Sequence, residues 1–292
     1  MIQEIIKNII RIPLAKYFRV ANIFEYQTKN LLETQEQVLL SKLRKNSETE
    51  YGKRYHFSEI KNPKEFQRNV PIITYDDISK DVERIKNGEQ NILTSQNPIG
   101  FVTTSGTTDK PKFIPITKDF LDEYINSWNL WIFHMVSDHP KMPLGKVLSI
   151  VSPSLEGYTK SRIPYGAMTG LSLNHQSLIS KMFYGVNPKI FSNENTFARQ
   201  YTSLRISLEK NITMINTANP STIKMICEMG NELKYSLIKD IHDGMIFSGI
   251  SQENFTAPLI LKPNRNISLA RPDLLRLFFA SIVYIDFLNP LV

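Results

Sequence analysis

The chain has 292 residues, with 35 lysines and arginines against 28 aspartates and glutamates, for a formal charge of +7. The basic residues are scattered, with no basic run interleaved with aromatics, which argues against a nucleic-acid surface. A single cysteine, Cys227, excludes an internal disulfide and a cysteine-based metal site, and the five histidines lack paired ligand spacing, so no metal centre is expected.

In chain order, apolar residues at three- and four-residue intervals predict helices over 2–12 and about 22–46. Glu4, Lys7 and Arg11 interrupt the first at helical spacing, which describes an amphipathic helix rather than a signal peptide. No run of uncharged apolar residues is long enough to span a membrane, and a cytoplasmic location is expected. Asn62-Pro63 reads as an N-cap followed by proline at the first helical position. Thr74 is expected to cap a helix to about Asn87, favoured by Asp76 and Asp77 at its positive end and stopped by Gly88.

The short β-branched run from Ile99 to Thr103 predicts a strand that ends in Thr104-Ser105-Gly106-Thr107-Thr108-Asp109-Lys110-Pro111-Lys112. Gly106 allows a tight turn that presents backbone N–H groups to an anion. The hydroxyls of Thr104, Ser105, Thr107 and Thr108 add donors, and Lys112 adds a mobile charge. Such a set suits the β- and γ-phosphates of a nucleotide, although the Walker spacing is absent. Polar turns use the same residue types. Seven defined positions make a chance match on the order of one in a hundred thousand, which favours the phosphate reading.

These residues resemble the phosphate-binding signature of the adenylate-forming superfamily. The continuation Lys112-Phe113-Ile114-Pro115-Ile116-Thr117 is similar to that of the Gretchen Hagen family of acyl acid amido synthetases, since acyl-CoA ligases usually carry glycine where Phe113 stands. Asp109 departs from the superfamily, which commonly has glycine there. Val70 to Asp77 and Gly88 to Thr94 extend the likeness upstream as scaffold. The resemblance implies ATP and Mg²⁺ as cofactors and a carboxylic acid and an amino acid or amine as partners. It places Ser105, Thr107 and Thr108 on phosphate oxygens and Lys112 on the charge of the leaving pyrophosphate.

Thr117 is a plausible N-cap for a helix from Lys118 to about Ser137, with Phe120, Tyr124, Trp128, Trp131 and Met135 on one face. That face is either core or one wall of an acyl pocket. Lys146 to Val151 reads as a buried strand, expected beside the Ile99 strand. From Ser152 to Gly170 glycine and proline recur without a period, which predicts a long functional loop. It resembles a loop bordering the acyl and nucleotide pocket in bacterial members of the family, with Arg162 able to meet a carboxylate or phosphate and Tyr158 and Tyr165 able to stack on flat groups.

Asn195 to Lys210 reads as a helix, Ile212 to Asn216 as a strand, and Asn219-Pro220 as the start of a helix to about 236. Alternation of strand and helix over 99–236 predicts an α/β layered core, its sheet mainly parallel or mixed, with helices on the faces. The expected organisation is an N-terminal helical segment over 1–95 packing on a partial adenylation domain over 96–292. Arg271-Pro272-Asp273 is read as starting one more helix, and Phe278 to Ile285 as a buried strand or helix lacking its partners. The superfamily's aromatic-Gly-x-[ST]-Glu turn, ribose aspartate and C-terminal lysine are not found; Tyr165 to Thr169 is a partial lookalike without the acid. The resemblance covers about residues 1–240, so the chain reads as the first half of such an enzyme. An acyl-CoA ligase or a non-catalytic nucleotide-binding remnant are the alternatives.

Overall fold

The computed structural model describes residues 17–104, 111–246, 262–264 and, as backbone, 284–287. The expected helices at 2–12 and after Arg271, and the turn residues Ser105 to Lys110, lie outside them. The chain divides into two compact units, one of Met1–Phe133 with Glu156–Ala167, the other of His134–Leu155 with Met168–Val292.

In the first unit the expected long helix is two. Helix α1 runs through 17–29 and α2 spans Leu31–Lys45. The break is Asn30, whose side-chain amide donates to the Tyr26 carbonyl at 3.0 Å, offering the backbone a local alternative to the helical ladder. Helices α3 (Glu50–Arg54) and α4 (Pro63–Asn69) are capped as written: Thr49 Oγ1 accepts from Gly52 N–H, and Asn62 Oδ1 from Glu65 N–H. Helix α5 (Tyr75–Lys86) begins with the Thr74 amide donating to Asp77 at 2.7 Å and stops before Gly88, at φ 101°.

Strand β1 (Gly100–Thr103) pairs antiparallel with β2 (Phe113–Ile116), placing Thr103 opposite Phe113. Its other edge takes β5 (Pro164–Gly166) in parallel, and β5 closes a hairpin with β4 (Gly157–Tyr158), for a sheet order β2-β1-β5-β4. The expected loop at 152–170 therefore contains a hairpin, and the β1 sheet is mixed, one of the two arrangements expected. Both β1 edges are occupied, so the Lys146 strand is not its neighbour. Val82, Ile85, Ile92 and Phe101 form the local core, with Phe113 and Tyr165 packed on it. Fully burying such a side chain contributes about 1.5–3 kcal/mol, which outweighs any surface contact of the hairpin. Helix α6 (Lys118–Asp138) follows, with Thr117 Oγ1 accepting from Phe120 N–H at 3.3 Å.

In the second unit β3 (Lys146–Ile150) pairs in parallel with β6 (Ile212–Thr217), and β6 with β7 (Tyr284–Phe287). Tyr284 and Ile285, at the end of the apolar segment, thus have a partner strand, contrary to expectation, while Phe278 to Val283 lie outside the described residues. Helix α7 (Met168–Asn174) starts at the end of the sequence loop; at Gly170 a Cβ would stand 2.4 Å from the Ser152 carbonyl, so only glycine permits that approach. Helices α8 (Leu178–Met182), α9 (Thr196–Ser207), α10 (Pro220–Glu232) and α11 (Lys234–Asp243) complete the unit, α9 and α10 capped by Asn195 and Asn219. Leu148, Tyr201, Leu204, Ile212, Ile215 and Ile241 lie in its core.

Candidate functional site

The phosphate-type turn is the connection of the β1–β2 hairpin. Its neck is closed by the Thr104 amide donating to the Lys112 carbonyl at 3.2 Å. That bond extends the ladder one pair beyond Thr103 and Phe113 and fixes both ends of the seven-residue connection from Ser105 to Pro111. Since its amide is engaged, Thr104 offers a phosphate only its exposed side chain. Ser105, Gly106, Thr107 and Thr108 lie outside the described residues.

Lys112 is held from below. Its Nζ stands 5.6 Å from the Tyr75 ring centroid, a cation–π distance. The Tyr75 hydroxyl accepts from the Phe113 amide at 3.0 Å and donates to the Phe113 carbonyl at 3.3 Å, pinning the strand next to the lysine. Lys86 Nζ covers the Phe113 ring at 4.1 Å and pairs with Glu83. On the opposite stem Thr103 Oγ1 donates to Glu156 Oε2 at 3.2 Å. Tyr75 and Lys86 escaped sequence reasoning because each lies far along the chain from the turn, and a single sequence carries no signal for such pairing.

The five expected pocket residues lie on two parts of the first unit, the tryptophans on α6 and the other three on the β4–β5 hairpin. Trp128 and Trp131 meet edge to face at 5.2 Å on α6, continuing a ladder through half-buried Tyr124 to exposed Phe120. Tyr165 packs edge-on against Phe113 at 5.1 Å within the core of the hairpin. Tyr158 is exposed on β4, and exposed Arg162 occupies the β4–β5 turn at φ 63°. Cys227 is half-buried, its thiol pushed up by burial, which suits packing rather than nucleophilic attack. Among the described residues no group of three or more His, Cys, Asp or Glu side chains is placed to hold a metal ion. None of the described helices is long and apolar enough to cross a membrane.

Indole-3-acetic acid-amido synthetase GH3.3 of Arabidopsis thaliana is 30% identical over 154 residues, 52% of this chain and 26% of that protein. Jasmonoyl–L-amino acid synthetase JAR6 of Nicotiana attenuata is 28% identical over 153 residues, again 52% of this chain and 26% of that one. The matches thus span about a quarter of these relatives' length. A solved GH3.15 acyl acid amido synthetase shares the fold with a TM-score of 0.80 at 22% identity, over 91% of this chain and 50% of that one. The family model described as the GH3 family N-terminal domain matches residues 20–276, well over half of the sequence, and the chain therefore belongs to the GH3 family.

Proposed function

We propose that this chain is the nucleotide-gripping portion of an enzyme that activates a carboxylic acid with ATP and passes the acyl group to an amino acid or amine. The carboxylate oxygen attacks the α-phosphorus, the bond to the β,γ-diphosphate breaks, and pyrophosphate leaves with an acyl-adenylate formed. The amine nitrogen then attacks the acyl carbon, AMP departs and the amine loses a proton. The chain's part is positioning and charge stabilisation. In this reading Ser105, Thr107 and Thr108 hold phosphate oxygens, Gly106 permits their close approach, and Lys112 meets the developing charge on pyrophosphate.

One observation carries the proposal: the Thr104–Lys112 bond holds a hydroxyl-rich turn between two fixed stems, with the Lys112 ammonium supported on the Tyr75 ring. Membership of a family whose named relatives join acids to amino acids supports the acceptor class. A hydrogen bond to a charged group contributes about 1.5–3 kcal/mol, so Lys112→Ala is expected to weaken ATP binding about ten- to a hundredfold in isothermal titration. Equal heats and affinity for the variant and the parent chain would remove Lys112 from the site.

A further inference from the structure

The second unit contains a cavity of about 350 Å³ where the parallel strands β3 and β6 end. Ile150, Val151 and Thr217 wall it from the strand ends, Arg199 and Gln200 from α9, and Thr222 from α10. Crevices beyond the carboxyl ends of parallel strands are where α/β sheets bind ligands.

Most of its polar groups already have partners. The Arg199 guanidinium donates to the carbonyls of Asn193 and Glu194 and to Thr196 Oγ1. Thr169 Oγ1 accepts from the Ser152 amide at 3.3 Å. At the start of α10 the Ser221 amide donates to Asn219 Oδ1 and the Thr222 amide to the Asn219 carbonyl, each at 3.0 Å. The α10 terminus is therefore not an open anion site. Gln200 and Thr217 stand apart. They are 8% and 2% exposed, both line the cavity, and among the described residues neither side chain makes a hydrogen bond. Neither belongs to the fully enclosed unpaired polar atoms, which among the described residues are Asn129 Oδ1, Thr202 Oγ1 and Asn216 Oδ1, so both keep solvent access and can meet a ligand. An amide on α9 and a hydroxyl at the end of β6 thus line the same cavity without a protein partner, and between them they can donate to and accept from a bound group.

We propose that this cavity binds a small organic molecule through a neutral hydrogen-bonding group, a hydroxyl or an oxo oxygen, that meets Gln200 and Thr217, and that it discriminates against the same molecule lacking that group. A carboxylate is the poorer fit at this end, because the guanidinium of Arg199 and the first amides of α10 are already engaged. The size suits a molecule with one ring or a short chain. Identifying that molecule as the acid to be activated rests on the function proposed above; the binding preference does not.

The test uses the 292-residue chain without nucleotide. Isothermal titration with phenylacetate and 4-hydroxyphenylacetate, and with pentanoate and 4-oxopentanoate, reads the preference directly. At least one oxygenated probe is expected to bind about tenfold or more tighter than its parent, because a site built to pair a polar group rejects the analogue without it. Combining Thr217→Val with Gln200→Leu is expected to abolish the difference while the circular dichroism spectrum is kept. Equal affinities within both pairs, binding of no probe, or a preference that survives in the folded double variant overturns the proposal. Should the variant fail to fold, the wild-type comparison decides alone. ATP titration of the same sample separates the two readings: a preference without ATP binding sinks the nucleotide reading only, and the reverse result sinks this one only.

Discussion

Tyr75 shows how much of the candidate site hangs on one side chain. It is the first residue of α5, its ring lies under Lys112, and its hydroxyl bonds both the amide and the carbonyl of Phe113. Replacing it by phenylalanine keeps the ring and leaves a half-buried amide unpaired, which costs about 1–3 kcal/mol. Tyr75→Phe is therefore expected to lower the urea midpoint with no change in slope, and to weaken ATP binding less than Lys112→Ala does. An unchanged midpoint would show that water replaces the hydroxyl and that the strand needs no pin. At this scale the sequence nominates Lys112 and is silent about Tyr75. The lysine belongs to a contiguous pattern, whereas the tyrosine matters only through a contact across 38 positions.

Among the elements, legibility follows how local the cause is. Asn62, Asn195 and Asn219 each cap a helix within two or three residues of themselves, so those starts could be read directly. The strands β2 and β5 were hidden by Pro115 and Pro164, which argue against a ladder until pairing is known. Pro115 is tolerated because β2 is an edge strand, and Pro164 because it opens β5. The partner of β3 was misread because strand pairing is set by which edges remain free, a fact of topology. A further link joins α9 to α11: the Tyr201 hydroxyl, fully buried, donates to Asp240 Oδ2 at 2.7 Å. Burial first, then this hydrogen bond, pushes the phenol pKa well above its ordinary value of 10.0. Its contribution to stability is then complete below about pH 10 and declines as pH rises toward the folded-state value, because the unfolded chain releases the proton first. Tyr201→Phe is expected to lose about 1–3 kcal/mol at pH 7, and the gap to the parent should narrow above pH 10. A gap that stays constant from pH 8 to 11.5 in urea melts would rule out the linkage.

Taken whole, the 292 residues carry the hydroxyl-rich turn but not the acid-bearing turn, ribose aspartate or distal lysine that the superfamily resemblance leads one to expect. The fold match tells the same story in lengths, since 91% of this chain lies on 50% of the solved relative. Gripping a polyanion and catalysing its cleavage make different demands. The first needs a few donors and a cation held in place, which local sequence supplies; the second needs groups that meet charge developing at the α-phosphorus, and a chain that lacks them lacks the differential stabilisation. The expected outcome is therefore ATP binding by this chain, visible as heat in titration, without exchange of labelled pyrophosphate into ATP in the presence of carboxylic acids. Exchange above the buffer rate would show that residues outside the known signatures complete the site. Absence of both heat and exchange would instead mean that the β1–β2 turn does not grip nucleotide in this chain, and the GH3 likeness would then be one of fold alone.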